Sequence, residues 1–497
     1  MSTTTAAPSA TGRKVRPNLV IAVLAFAGMG ASFMQTILIP IQAKLPELLD
    51  ASRDDTAWVI TVTLLVSAIC TPVSGKLGDM YGKRRVAVVL LSLLILGSVI
   101  SALSPTVVPL IIGRGLQGTG MGVIPLGISI LRDVLPKERL GSAIALVSAT
   151  LGVGGALGLP VSALVTENLD WHALFWVAAA IGAVALVLFL VVVPAGRSNA
   201  HGRFDFGGAV GLAIGLVGLL LAVSRGNEWG WASAPTLISA GVGLVALLVW
   251  GWYELRQSNP LVDLRVSARG PVLMTNLASV AMGFALFSSS IVFPQLLQLP
   301  ERTGGLGLPL LEASLILMPS GLAMLAMSPV AGRVEKRVGP KPLLVAGAVI
   351  IALAYLAAVV LEPTVWLVLV INVVIGIGIG LGYAAMPTLI MRAVPASESG
   401  AANGLNTLMR ALGTSIASAA VAAVLANSAV GGSGASVPSE SGFALALLFG
   451  LAAAVLCAAL AAFIPKPRGI PDEEPALPDG VLPSSGSADR SPLLRTQ

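Results

Sequence analysis

Charge is scarce in this chain. Only 11% of its 497 residues are Asp, Glu, Lys or Arg, whereas 56% are hydrophobic. A soluble protein of this length needs far more polar surface, so the scarcity excludes that class and points to a polytopic membrane protein. The mean hydropathy of +0.90 agrees. Cysteine is nearly absent: Cys70 and Cys457 both lie in apolar runs, which excludes a disulfide framework and leaves two buried thiols. The only histidines are His172 and His201, and no CxxC or HExxH pattern occurs, so no metal site or cofactor is expected. No Walker A run is present, which excludes an intrinsic ATPase. The net charge of +6 does not indicate nucleic acid, because the basic residues are scattered through short loops.

What the chain does have is long apolar runs. Fourteen segments are long enough to cross about 30 Å of hydrocarbon as helices. Their limits are 18–40, 57–76, 86–104, 106–130, 139–166, 172–193, 207–224, 234–254, 271–297, 309–331, 341–361, 364–391, 399–427 and 441–464. Backbone groups in lipid must be satisfied within the segment, so each run is read as a helix. Dropping 207–224 and 234–254 would give twelve spans and leave two strongly apolar runs unplaced. Alternate loops are basic, as with Arg132 and Arg139 or Arg256, Arg265 and Arg269. The intervening loops are not basic, as with Glu167 and Asp170. That alternation predicts an even span count with both termini in the cytoplasm and the body in the plasma membrane. Residues 1–16 and 465–497 lack apolar periodicity and read as disordered cytoplasmic tails. Between them the reading is a six-helix bundle at 17–193, a two-helix insert with linkers at 194–268, and a second six-helix bundle at 269–464.

One charged stretch organises the rest: Gly75, Lys76, Leu77, Gly78, Asp79, Met80, Tyr81, Gly82, Lys83, Arg84 and Arg85. It reads as a compact loop whose glycines permit a tight turn and close helix approach. A weaker copy begins 257 positions later at Gly332 and again places glycines seven apart, at Gly332 and Gly339. Two copies, each joining apolar helices, predict two related bundles. The first copy resembles motif A of the major facilitator superfamily, a GxLxDxxGxRR-type loop between the second and third helices. The resemblance implies that Asp79 latches the two bundles in one state against the start of the thirteenth helix, near Ser397–Gly400. Gly75, Asp79, Gly82, Lys83, Arg84 and Arg85 then form a gating motif, with Lys83 paired to Asp133. The insert carries its own signature: Phe204, Asp205, Phe206, Gly207 and Gly208 at one end, and Glu254 with Pro260, Leu261, Val262, Asp263 and Leu264 at the other. That arrangement is similar to the 14-spanner drug:proton antiporter family.

Deep polar residues mark the candidate site. Arg114 lies inside the fourth span, and Gln117 shares its helical face. A guanidinium at membrane depth is expensive unless it meets a cavity or a partner. Its run resembles motif B, whose arginine is implicated in proton coupling; the bland reading is an arginine bonded to backbone carbonyls. In the second half Asn403, Asn406 and Arg410 recur at i, i+3 and i+7, on one helical face. Gly154, Gly158 and Pro160 in the fifth span form a close-packing pattern. It resembles the antiporter motif C, although Leu159 separates the glycine from the proline. In the first span the resemblance leads one to expect an Asp where Met34 stands. No other acid lies deep in a span, so proton coupling would fall to Asp54, Asp55, Asp133 or Arg114, or to a carboxylate on the substrate.

The expectation is thus an all-α integral membrane protein of major facilitator fold with two pseudo-symmetric six-helix bundles and a two-helix insert. The superfamily's central cavity would be lined by Gln35, Arg114, Gln117, Asn276, Asn372, Tyr383, Asn406 and Arg410. The implied function is proton-driven export of drugs or other amphipathic small molecules, with the substrate, protons and the bilayer as partners and no nucleic acid. Neutral, zwitterionic or anionic cargo would suit the arginines. A dedicated exporter of an endogenous or lipid-like product is the alternative, and a non-transporting receptor or assembly partner a third.

Overall fold

The computed structural model describes residues 16–194, 204–301, 305–395, 398–430 and 437–465. The expected tails lie outside these ranges apart from Arg16 and Pro465, as do His201, Ser397 and the side chain of Asp54. Among the described residues fourteen helices are long and apolar enough to cross a membrane. In chain order they are α1 (Pro17–Thr36), α2 (Arg53–Tyr81), α3 (Lys83–Ala102), α4 (Val107–Val134), α5 (Lys137–Asn168), α6 (Ala173–Val192) and α7 (Phe206–Trp229). Then follow α8 (Ala234–Glu254), α9 (Gly270–Gln298), α10 (Leu310–Val338), α11 (Pro340–Val360), α12 (Val365–Met391), α13 (Ser399–Asn427) and α14 (Glu440–Ala462). The sole strands among the described residues are a two-residue pair, Ala429–Val430 with Val437–Pro438, in the α13–α14 connection.

Local chemistry sets the helix ends. Ser52 caps α2 by accepting from the Asp55 N–H at 3.0 Å, Thr364 caps α12, and Ser439 caps α14. In α4 the run from Gly118 to Gly122 loosens the helix into a 3-10 turn at Thr119–Gly122. Its glycines are filled by neighbours: a Cβ on Gly118 would lie 2.6 Å from the Thr63 carbonyl of α2, and one on Gly120 2.3 Å from Leu94 of α3.

Packing repeats between the halves. In the first, α1 packs on α5 and α6, and α3 on α4 and α6. In the second, α9 packs on α13 and α14, and α11 on α12 and α14. The halves meet through α2 with α13 and through α5 with α10. Exchanging the halves converts one of these crossings into the other, so the bundles are pseudo-symmetric. The same correspondence pairs α4 with α12 and α5 with α13, so Arg114 and Arg410 do not occupy equivalent positions. The insert breaks the symmetry: α7 packs on α8 and leans chiefly on α2 and α13. The outward side chains of α8 are apolar and open, with Leu248 65% exposed, as suits a lipid-facing helix.

The organising stretch is helix rather than loop. Gly75 to Tyr81 complete α2, and the turn is the single residue Gly82, whose φ of +99° needs glycine. In the second copy, Gly332 to Val338 complete α10 and Gly339 turns at φ +85°. Charge density ended the apolar run in the sequence but did not end the helix, because polar side chains on an emerging helix reach partners and water without breaking backbone hydrogen bonds. Arg225, just past the apolar run 207–224, is likewise inside α7.

Candidate functional site

The end of the molecule where α2 and α10 stop, here the motif end, holds the bundles together. Backbones touch there: a Cβ on Gly75 would lie 2.3 Å from the Gly400 carbonyl, and one on Gly332 2.5 Å from Ser142. One turn beyond Gly75, helical geometry brings the Asp79 carboxylate over the start of α13. It accepts from the Gly400 N–H at 3.3 Å and the Ala401 N–H at 3.1 Å, the favoured place for an anion. Lys83 pairs with Asp133 at 2.7 Å, and Arg84 donates to the Leu190 carbonyl of α6 at 2.7 Å. Ser129 donates to Ser399 at 3.3 Å and Arg132 to the Pro395 carbonyl at 3.4 Å, both across the bundle boundary. Glu398, just before α13, has its carboxyl pushed up by burial.

Deeper in the first bundle, Arg114 and Gln117 come together, and Gln35 follows their Met34 acceptor in the chain. Arg114 is 1% exposed. Its Nη1 donates to the Met34 carbonyl and to Gln117 Oε1, both at 2.8 Å, and its Nε to the Val59 carbonyl at 3.3 Å. Gln117 passes the chain on to Ser98 at 2.8 Å, and Gln35 donates to Ser67 at 3.4 Å. This network stitches α1, α2, α3 and α4, and the guanidinium meets carbonyls rather than open space. Met34 contributes its backbone here, so the position expected to hold an acid serves as an acceptor by another route.

The second bundle gathers Asn276, Tyr383, Asn406 and Arg410. Asn406 donates to Asn276 at 3.0 Å and to Ser279 at 2.7 Å. Arg410 lies over the Tyr383 ring, 4.5 Å from its centroid, and donates to Thr407 at 3.1 Å, while its Nη1 is buried with no hydrogen-bond partner. Asn372 stands apart, donating to the Leu317 carbonyl of α10 at 3.1 Å.

Of the proton-coupling candidates, Asp55 is exposed within the α2 cap and Asp133 is in its ion pair. Gly154 and Gly158 face α1, where a Cβ would lie 2.3 Å from the Met29 carbonyl and 1.9 Å from Thr36. Pro160 lies within α5. Three buried groups were not singled out as site residues. Glu335 of α10 pairs with Arg392 at 3.4 Å. Arg225 of α7 lies over Trp58 of α2 at 5.2 Å and pairs with Glu228. Asp205 and Glu254 meet where the insert begins and ends. Their signal was spacing across the insert, which becomes visible only once α7 and α8 are laid side by side.

Two related bundles crossing at two symmetric seams, with polar clusters buried among apolar helices, define a membrane transporter rather than an enzyme. The profile of the Major Facilitator Superfamily matches residues 24–205, 192–418 and 275–494, and the chain belongs to that superfamily. It is 30% identical over 345 residues to the lincomycin resistance protein LmrB of Listeria monocytogenes, covering 69% of this chain and 72% of that one. It is 26% identical to the multidrug resistance protein Stp of Mycobacterium tuberculosis, covering 83% of this chain and 76% of that one. Among solved structures, the human organic anion transporter MFSD10 superposes with a TM-score of 0.61 at 14% identity, over 89% of this chain and 100% of that one. The protein is therefore a multi-pass secondary transporter with fourteen spans.

Proposed function

We propose that this protein exports amphipathic small molecules, antibiotics among them, across the plasma membrane by alternating access coupled to proton entry. Bundles 17–193 and 269–464 rock about the α2–α13 and α5–α10 crossings, with α7 of the insert set against the first crossing. The motif end and both termini face the cytoplasm, in keeping with the basic loops on that side. The observation that carries the reading is the Asp79 carboxylate on the N-terminus of α13, a latch across the boundary that must open. Relatives named for lincomycin and multidrug resistance supply the cargo class. The half-satisfied Arg410 beside Tyr383 favours cargo that brings an acceptor oxygen and an aromatic face.

The test is drug accumulation in pump-deleted cells expressing the protein, comparing a lipophilic cation with a neutral or acidic antibiotic, each with and without a protonophore. Protonophore-sensitive export of the neutral or acidic drug is expected. Export of neither drug, with the protein in the membrane, would transfer the assignment to a dedicated endogenous product. Export that ignores the protonophore would remove the antiport claim.

A further inference from the structure

The insert closes on itself at the motif end through two carboxylates. Asp205 caps α7: its Oδ1 accepts from the Gly208 N–H at 2.8 Å and from the Tyr253 hydroxyl at 3.0 Å. Its Oδ2 is buried and has no hydrogen-bond partner. Glu254, the last residue of α8, is 2% exposed, and neither of its oxygens has a partner either. The Trp250 indole and the Leu261 N–H act on Glu254 as donors without reaching full hydrogen-bond geometry, and the indole nitrogen has no other partner. Gly208 lies between the two acids. A Cβ there would sit 2.5 Å from Asp205 Oδ2 and 2.5 Å from Glu254 Oε1, so the two oxygens flank one small gap.

Three buried carboxylate oxygens without donors form an arrangement that two full negative charges would push apart. One proton resolves it, because a protonated carboxyl carries no charge and removes the repulsion between the pair. Access exists alongside: a surface cavity of about 570 Å³ is lined by Phe204, Asp205, Phe206, Gly207, Tyr253 and Gln257.

We propose that Asp205 and Glu254 are a proton-binding site that holds one proton between them and exchanges it with water through this cavity. The proton passes to water and no other bond changes. Lys76 of α2 is the positive charge that acts on Glu254, and it acts on Asp79 and Glu398 as well. The other charged groups nearby are engaged elsewhere: Arg256 lies over Trp252 at 3.8 Å, Arg265 donates to the Leu255 carbonyl, and Asp263 caps the short helix Leu264–Ser267. Tyr253 is already donating to Asp205. That this site is the proton's exit in antiport rests on the function proposed above; the shared proton does not.

The experiment is infrared titration of the full chain in lipid nanodiscs, comparing wild type with E254Q, D205N and K76Q, each first shown to be monodisperse. Wild type should show a protonated-carboxyl band that fades as pH rises. That band should be missing in E254Q and should shift its midpoint by about one pH unit or more in D205N. In K76Q it should persist to higher pH, since the counter-charge is gone. Spectra of E254Q and D205N that match wild type would overturn the site. If the band behaves as expected but wild-type export ignores a protonophore, the antiport reading fails and the site stands.

Discussion

The two bundles share a plan, and the deep arginine of each is satisfied to a different degree. In the first, Arg114 spends its donors on the Met34 and Val59 carbonyls and on Gln117. In the second, Arg410 has one hydrogen bond, an aromatic face and a buried nitrogen without a partner. The seams differ in the same sense. Asp79 takes two N–H groups of α13, whereas Glu335 lies against Gly141 at the start of α5, reaches Arg392 at 3.4 Å, and leaves Oε2 without a donor. The insert also leans on the α2–α13 seam and not on the other. The Arg114 cluster and the Asp79 seam read as the braced parts of the machine, and the Arg410 cluster and the Glu335 seam as the parts with interactions still to make. An unsatisfied buried polar group is a cost that a bound molecule or another conformation can relieve.

The two arginines give the sharpest way to break this comparison. Arg114→Ala takes a donor from the Met34 and Val59 carbonyls and from Gln117 Oε1, and opens a cavity among four helices. The loss should be about 3–5 kcal/mol, read as thermal unfolding in detergent. Arg410→Ala removes one hydrogen bond and a cation–π contact, about 1–2 kcal/mol. Its transport should nevertheless fall at least as far, because the lost group is the one with free valence. Equal destabilisation by the two variants would erase the distinction.

The seams come next. At Gly75 the nearest atom is backbone that cannot move aside, so Gly75→Val should separate α2 from α13 at a cost of about 1–3 kcal/mol and abolish transport. Gly332→Val meets Ser142, on a seam with a weaker latch, and should cost less and leave partial export. Asp79→Asn weakens two charge-assisted hydrogen bonds worth about 1.5–3 kcal/mol each at most. Hydrogen exchange at the Gly400 and Ala401 amides should quicken. Glu335→Gln should change exchange at the start of α5 less, since no such amide bond is made there. The reverse ranking would make α5–α10 the braced seam.

Much of this was legible in the sequence. The span count rests on apolar runs, and the glycine spacing of the two copies anticipated both positive-φ turns, Gly82 and Gly339. Asp79 meets α13 where the resemblance placed its partner, at Gly400. What stayed hidden depends on neighbours rather than on the chain itself. Periodicity puts Gln117 beside Arg114 but cannot say that the Met34 and Val59 carbonyls of two other helices fill the guanidinium's reach. It groups Asn406 with Arg410 but not Tyr383 over the guanidinium, and it sets Asn372 among the cavity candidates although that side chain bonds to α10. Helix ends were misjudged where charge replaces apolar residues without a breaker, as at Gly75 to Tyr81, because hydropathy reports the solvent and not the backbone.

The smallest expected effect lies away from the motif end, in the first bundle. His172 approaches Asp170 at 2.5 Å through Nδ1 and the Ser104 carbonyl at 3.1 Å through Nε2, tying the α5–α6 turn to the α3–α4 turn. The His172 N–H also donates to Asp170, and this backbone bond, followed by the ring contact, holds the Asp170 carboxyl below its ordinary range. A carboxyl depressed on folding stabilises above its unfolded range and loses that contribution as pH falls through the folded one. The tie should therefore be intact at neutral pH and fade under acid. Because the pair is largely exposed, its worth should stay within the roughly 1 kcal/mol ceiling of surface ion pairs. Asp170→Asn should lower the unfolding temperature slightly at neutral pH and not at all in strong acid. A difference that persists unchanged into acid would show that Asp170 acts through the turn it shapes rather than through its charge, and the contrast between the bundles would then owe nothing to this end of the molecule.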